Sequence, residues 1–170
     1  MSSEESFIRK ISKLNFKESV KVLKNGLENS GFKIFSEIDH SSAAEEVGLE
    51  LFPARVIIFG NPKGGTGMIK SNPELAIDLP ARILVYEKDG VHFLYRKLES
   101  ILKMHNMGEL SENGKSFDSK IQKIIVDPTN LKPLFLKSLL ILSDSVLVAG
   151  ISLSFCHLFF MVFPSTNDQI

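Results

Sequence analysis

The stretch from Phe59 to Gly67 constrains this chain most. An apolar run, Val56-Ile57-Ile58-Phe59, leads directly into Gly60-Asn61-Pro62-Lys63-Gly64-Gly65-Thr66-Gly67, where four glycines and a proline fall within eight residues. An apolar run closed off by such residues reads as a buried strand that ends in a loop with an unusual backbone path. Loops of this kind turn main-chain N–H groups toward one point, where an anion can be held. The segment is not a Walker A loop, because Thr66 stands where that motif needs its lysine. It is not a dinucleotide fingerprint either, since Gly65-Thr66-Gly67 has no third glycine at the required spacing. The candidate ligand-facing residues are Gly60, Asn61, Lys63, Gly64, Gly65 and Thr66. The alternative is conformational: glycine at these positions lets strand and helix cross closely, with no ligand at all.

A chain of 170 residues holds one domain of ordinary size with a short appendage. With 44% hydrophobic residues and a formal net charge of zero, it falls in the globular class. Balanced charge argues against nucleic acid as a partner, which selects for a basic excess. The one cysteine, Cys156, permits no disulfide within the chain. The polar, acidic start has neither the basic nor the apolar part of a secretory signal, so the domain is expected in the cytoplasm. Residues 146–163 carry no charged side chain and are just long enough to cross a hydrocarbon core. They are a candidate membrane anchor, with Lys132 and Lys137 on the upstream side holding the domain in the cytosol. A soluble helix covered by a partner surface and an atypical carboxy terminus are the other readings.

Local patterns supply the elements. Residues 6–12 read as a strand. Asn15, with Glu18 three residues on, starts a helix whose apolar positions are Phe16, Val20, Leu23 and Leu27, and Gly31 ends it. Residues 32–38 form a second strand, 43–47 a short helix, and 54–59 a strand whose continuous apolar content predicts burial on both faces. Asn72-Pro73-Glu74 starts another helix. Asp89-Gly90 joins residues 81–87 and 91–95 into a hairpin, and a helix over 96–106 follows. Residues 108–118 are polar and read as part of a linker. The order β-α-β-α-β-α-β-β-α predicts an α/β (α+β) domain, a single mixed β-sheet with helices packed over it.

Chemistry-bearing residues are sparse. Asp39 beside His40 at a strand end is a weak candidate acid–base pair, although adjacent strand residues face opposite ways and capping of the next helix explains Asp39. Asp78 and Arg82 flank a strand start; they make an internal ion pair or Arg82 reaches a bound anion. Tyr86 and Tyr95 sit where cross-strand aromatic pairing explains them. His92 and His105 complete no ligand spacing, so no metal site is indicated, and the residues name no cofactor.

Gly31-Phe32, Ile38-Asp39-His40, Phe59-Gly60-Asn61-Pro62 with Thr66, and Asp78-Leu79-Pro80 occur here in an order and at separations that resemble the domain-of-unknown-function 302 family, with its TT1751-like fold. The resemblance runs from about Phe7 to about His105. It implies a compact domain that pairs as a homodimer, and it implies no established reaction. Some relatives carry a cysteine in the loop where this chain has Gly60, so thiol chemistry is excluded there. On this basis the chain divides into a domain over 1–107, a linker over 108–130 and an apolar segment over 131–170. The expected function is a dimeric module that binds a small molecule or anion without catalysis. An enzyme for a small anionic metabolite using Asp39 and His40, and a purely structural dimerisation module, are the alternatives.

Overall fold

The computed structural model describes residues 6–126, so the expectation of an anchor at 146–163 lies outside the described residues. Strand β1 (Phe7–Ser12) leads into helix α1 (Phe16–Asn29). The Asn15 side chain caps α1 by accepting the Glu18 N–H at 2.9 Å, and Val20, Leu23 and Leu27 are buried along one face. Gly31 takes φ +81°, a left-handed conformation that glycine adopts without a Cβ clash, and this turns the chain into β2 (Lys33–Asp39). Helix α2 (His40–Glu45), β3 (Ala54–Gly60), α3 (Pro62–Ser71) and a 3₁₀ turn (Pro73–Ile77) follow. The hairpin of β4 (Ala81–Glu87) and β5 (Val91–Arg96) turns at Asp89 and Gly90, both at positive φ. Helix α4 (Leu98–Met104), a short 3₁₀ turn and α5 (Ser111–Val126) complete the described chain.

The five strands form one sheet in the order β1-β5-β4-β3-β2. The single sheet and its helices are as expected, but every pairing is antiparallel, so the sheet is not mixed. The reason lies in the connections. From β2 to β5 each strand reverses at a sheet end and pairs with the next. Only α1 carries the chain from one edge strand to the other, and no connection between neighbouring strands crosses the sheet as a parallel pair would need.

Ile57, Phe59, Ile83, Val85, Phe93 and Tyr95 alternate onto one face and join Leu23, Leu27 and Ile121 in the core. On the opposite face Val56, Ile58, Leu84 and Leu94 are only half-buried. Burial of β3 on both faces therefore does not hold among the described residues: its apolar run fills the core with alternate residues and leaves the others half-buried on the opposite face.

The expected linker is a second correction. Through Val126 it is the long helix α5, with Ile121, Ile124 and Ile125 in the core. Gly114 permits the approach of α5 to α4, because a Cβ there would stand 2.7 Å from Glu99 Cα and 2.8 Å from Glu99 N. One turn later the buried Asp118 carboxylate accepts hydrogen bonds from Tyr95 Oη at 2.7 Å, Leu98 N at 2.8 Å and Glu99 N at 3.1 Å. Lys97 supplies no side-chain cap to α4, so Asp118 satisfies the first amides of that helix from a neighbouring one.

Candidate functional site

The glycine-dense segment is the helix α3, not an irregular loop. Asn61 caps it, accepting the Lys63 N–H on Oδ1 at 3.0 Å, and the Gly65 N–H donates to Asn61 O at 3.0 Å. Pro62 has no N–H to offer and suits the first helical position. None of Gly60, Gly64, Gly65 or Gly67 has a positive φ. The expected irregular loop is therefore absent, and the Lys63 and Gly65 amides are engaged within the chain. Sequence punctuation misled here because glycine and proline at a helix start resemble a loop.

What the segment builds instead is one wall of a cleft of about 610 Å³. The opposite wall is α5, with Glu112, Asn113, Ser116, Phe117 and Lys120 along one side. The sheet closes the end through Phe32, Gly60 and Ala81, while Leu79, Pro80 and Leu98 fill the remaining side. The Leu79–Pro80 bond is cis. Beneath the cleft Phe32 packs edge-on against Phe59 at 5.5 Å and Phe117 at 5.3 Å between ring centroids, which makes a stiff aromatic floor. A Cβ built at Gly64 or Gly65 meets no atom within 4 Å, so the absent side chains leave the α3 wall open to the cleft.

The predicted site residues divide between three places. Gly60, Asn61, Gly64, Gly65 and Thr66 line the cleft, and Lys63 does not. Arg82 is also outside it; its Nη2 donates to Ile77 O at 2.9 Å. The expected Asp78–Arg82 pair does not form. Asp78 instead accepts from His105 Nε2 at 2.8 Å and lies 3.6 Å from Arg96 Nη1. Tyr86 does pair across the hairpin, stacked on His92 at 4.9 Å, whereas Tyr95 turns into the core toward Asp118.

Asp39 and His40 stand at the other end of the sheet. The register pairs Lys33 with Gly60 and Asp39 with Arg55, so Asp39 is roughly 20 Å along the strand from the cleft at ~3.3 Å per residue. Asp39 caps α2, accepting the Ser42 N–H at 3.0 Å and the Ser41 hydroxyl at 2.6 Å, and it pairs with Arg55. The Ser41 hydroxyl first, then the Ser42 amide and Arg55, hold its carboxyl well below the usual range. An acid so stabilised as its anion is a poor proton acceptor. An open depression of about 650 Å³ beside it is lined by Ser41, Ser42, Glu45 and Leu49 to Phe52.

Burial is the largest influence on two interior groups. It pushes the Tyr95 phenol far above its ordinary value. It also raises the Asp118 carboxyl, outweighing its hydrogen-bond donors. Neither group lines the cleft; they bond to each other and to the start of α4. Among the described residues the cleft is lined by two ionisable side chains, Glu112 and Lys120, one of each sign, which are not hydrogen-bonded to each other. Such a lining can enclose an apolar body and orient it through a few polar groups at the mouth.

A five-stranded antiparallel sheet with helices over one face, closed at one end by a helix-walled cleft, defines the class as an α+β domain. The profile described as "Domain of unknown function DUF302" matches residues 8–127, and the chain belongs to that family. The crystal structure of an uncharacterized conserved DUF302 protein from Bacillus stearothermophilus superposes with a TM-score of 0.66. That match covers 71% of this chain and 95% of the other at 18% identity, which shows the fold alone. Over 63 residues the chain is 41% identical to the fluoride-specific ion channel FluC 1 of Brucella suis, a match of 37% of this chain and 24% of that protein. FluC 1 of Brucella abortus and FluC 2 of Brucella melitensis match equally over 63 residues. The chain thus spans about a quarter of the length of these curated relatives.

Proposed function

We propose that this domain is a non-catalytic binding module that holds a small organic molecule in the cleft between α3 and α5. The cleft itself carries the reading. Its size falls within the range of small-molecule sites, its lining is mainly apolar, and a few polar groups gather at its mouth. The alternative enzyme is disfavoured by the separation of Asp39 and His40 from the cleft. The test is binding of the neutral probe Nile red to the full chain, followed by fluorescence, beside a Gly65→Leu variant whose fold is checked by circular dichroism. Probe bound by the parent and displaced by the leucine supports the reading. Equal binding by both proteins, or none by the parent, refutes it.

Pairing of two copies and membership of the TT1751-like subgroup belong to the same reading. The sheet face that no described helix covers supports pairing. It is apolar in its middle, carries Arg82 and Arg96 toward one end, and has Glu45, Glu46 and Glu50 beyond the other, where Lys88 is also found. Two copies packed with strand ends reversed bring opposite charges together. Light scattering after size exclusion tests it: Leu84→Glu is expected to turn a dimer into a monomer.

The Brucella matches favour a second reading, in which the domain works beside a membrane protein and residues 146–163 meet lipid. Carbonate extraction of membranes decides this; release of the chain into the soluble fraction contradicts it.

A further inference from the structure

We infer that the ligand of the cleft is an organic monoanion, an apolar body ending in a single carboxylate, with the carboxylate held by Lys120. This rests on the cleft being the binding site. The charges at the mouth are unequal in availability. Glu112 is already paired with Lys115, Nζ to Oε1 at 2.6 Å. Among the described residues no carboxylate pairs with Lys120. Both residues lie on the cleft side of α5, eight positions apart, which is about 12 Å along a helix at ~1.5 Å per residue. One end of the mouth therefore holds a paired carboxylate, and the ammonium at the other has no carboxylate partner among the described residues.

A single ammonium matches a single negative charge. Lys120 has Ser116 one turn before it on the same wall, which adds a hydroxyl beside the ammonium, and Phe117 beside it leads down to the aromatic floor. A carboxylate placed there leaves its apolar remainder against Phe32, Phe35, Leu79 and Met68. The preference for an anion thus comes from a side chain on α5, the helix opposite the glycine-dense segment, where Asn61 already takes up the Lys63 and Gly65 amides. Lys120 is exposed, so the contact is screened and its contribution is modest.

The experiment compares decanoate with decanol, equal in chain length and different in charge, by calorimetric titration of the full chain. Decanoate is expected to bind about fivefold more tightly, the factor given by the ~1 kcal/mol at the upper end for an exposed ion pair. Lys120→Gln should bring decanoate to the decanol level and leave decanol unchanged, while Lys120→Arg keeps the preference. Added salt should weaken decanoate alone. Equal binding of the two probes by the parent, or a preference that survives Lys120→Gln, overturns the inference while the cleft remains a binding site. Binding of neither overturns both.

Discussion

Replacing Asp118 with alanine gives the sharpest test of how the cleft wall is held. The carboxylate receives Tyr95 Oη, Leu98 N and Glu99 N, and it is 6% exposed, so water does not readily replace it. Alanine leaves the Leu98 amide with only a long contact to Tyr95 Oη at 3.3 Å, and the Tyr95 hydroxyl without its acceptor. A buried donor left unmatched costs about 1–3 kcal/mol, and a lost helix cap about 1 kcal/mol. Against this, the variant no longer desolvates a carboxylate whose burial already raises its proton affinity. The net expectation is a loss of about 2–4 kcal/mol, which at a urea slope of roughly 2 kcal/mol/M lowers the midpoint by about 1–2 M. The assay is urea unfolding followed by circular dichroism, with amide exchange at Leu98 and Glu99 as the local readout. A midpoint within about 0.2 M of the parent, or unchanged exchange at both amides, would refute the assignment of Asp118 as the cap of α4.

Further expectations rest on the same structure. Gly114→Ala forces a methyl against the Glu99 backbone and should destabilise by about 1–3 kcal/mol in the same urea assay, as overpacking does. Gly67→Ala, where a Cβ meets nothing and the cleft is not touched, should stabilise α3 by about 0.5–1 kcal/mol, read as slower amide exchange there. The lowered folded value of Asp39 means its stabilising contribution is present above the ordinary carboxylate range and fades as pH falls toward that folded value; Asp39→Asn should flatten this acid limb of the unfolding profile. Asp118 has the opposite sign. Its raised value makes stability fall as pH rises from the ordinary carboxylate value through the folded one, a slope that Asp118→Asn should remove.

Much of the scaffold was legible in the residues because its signals are local. Asn15 with Glu18, Gly31, and Asp89-Gly90 each specify their own cap or turn, and each is found where its chemistry places it. What could not be read is long-range. Asp118 caps a helix that begins twenty residues earlier, and Gly114 is required by a backbone that passes over it, so residues 108–118 looked merely polar. At the candidate site, Gly60, Asn61, Gly64, Gly65 and Thr66 do gather on one cleft. Their reason for doing so is a helix wall, and the partners on α5 carry no motif that separates them from a solvated surface. The one available clue was spacing: Asn113, Ser116, Phe117 and Lys120 repeat at helical intervals across the supposed linker.

The most direct measurement is amide chemical-shift mapping of the isotopically labelled chain titrated with decanoate. Saturable shifts are expected at Gly64, Gly65, Thr66, Ser116, Phe117 and Leu79, with Ser41 and Ser42 beside Asp39 unmoved. Shifts centred on Asp39 and His40, or none that saturate, would contradict binding in the cleft.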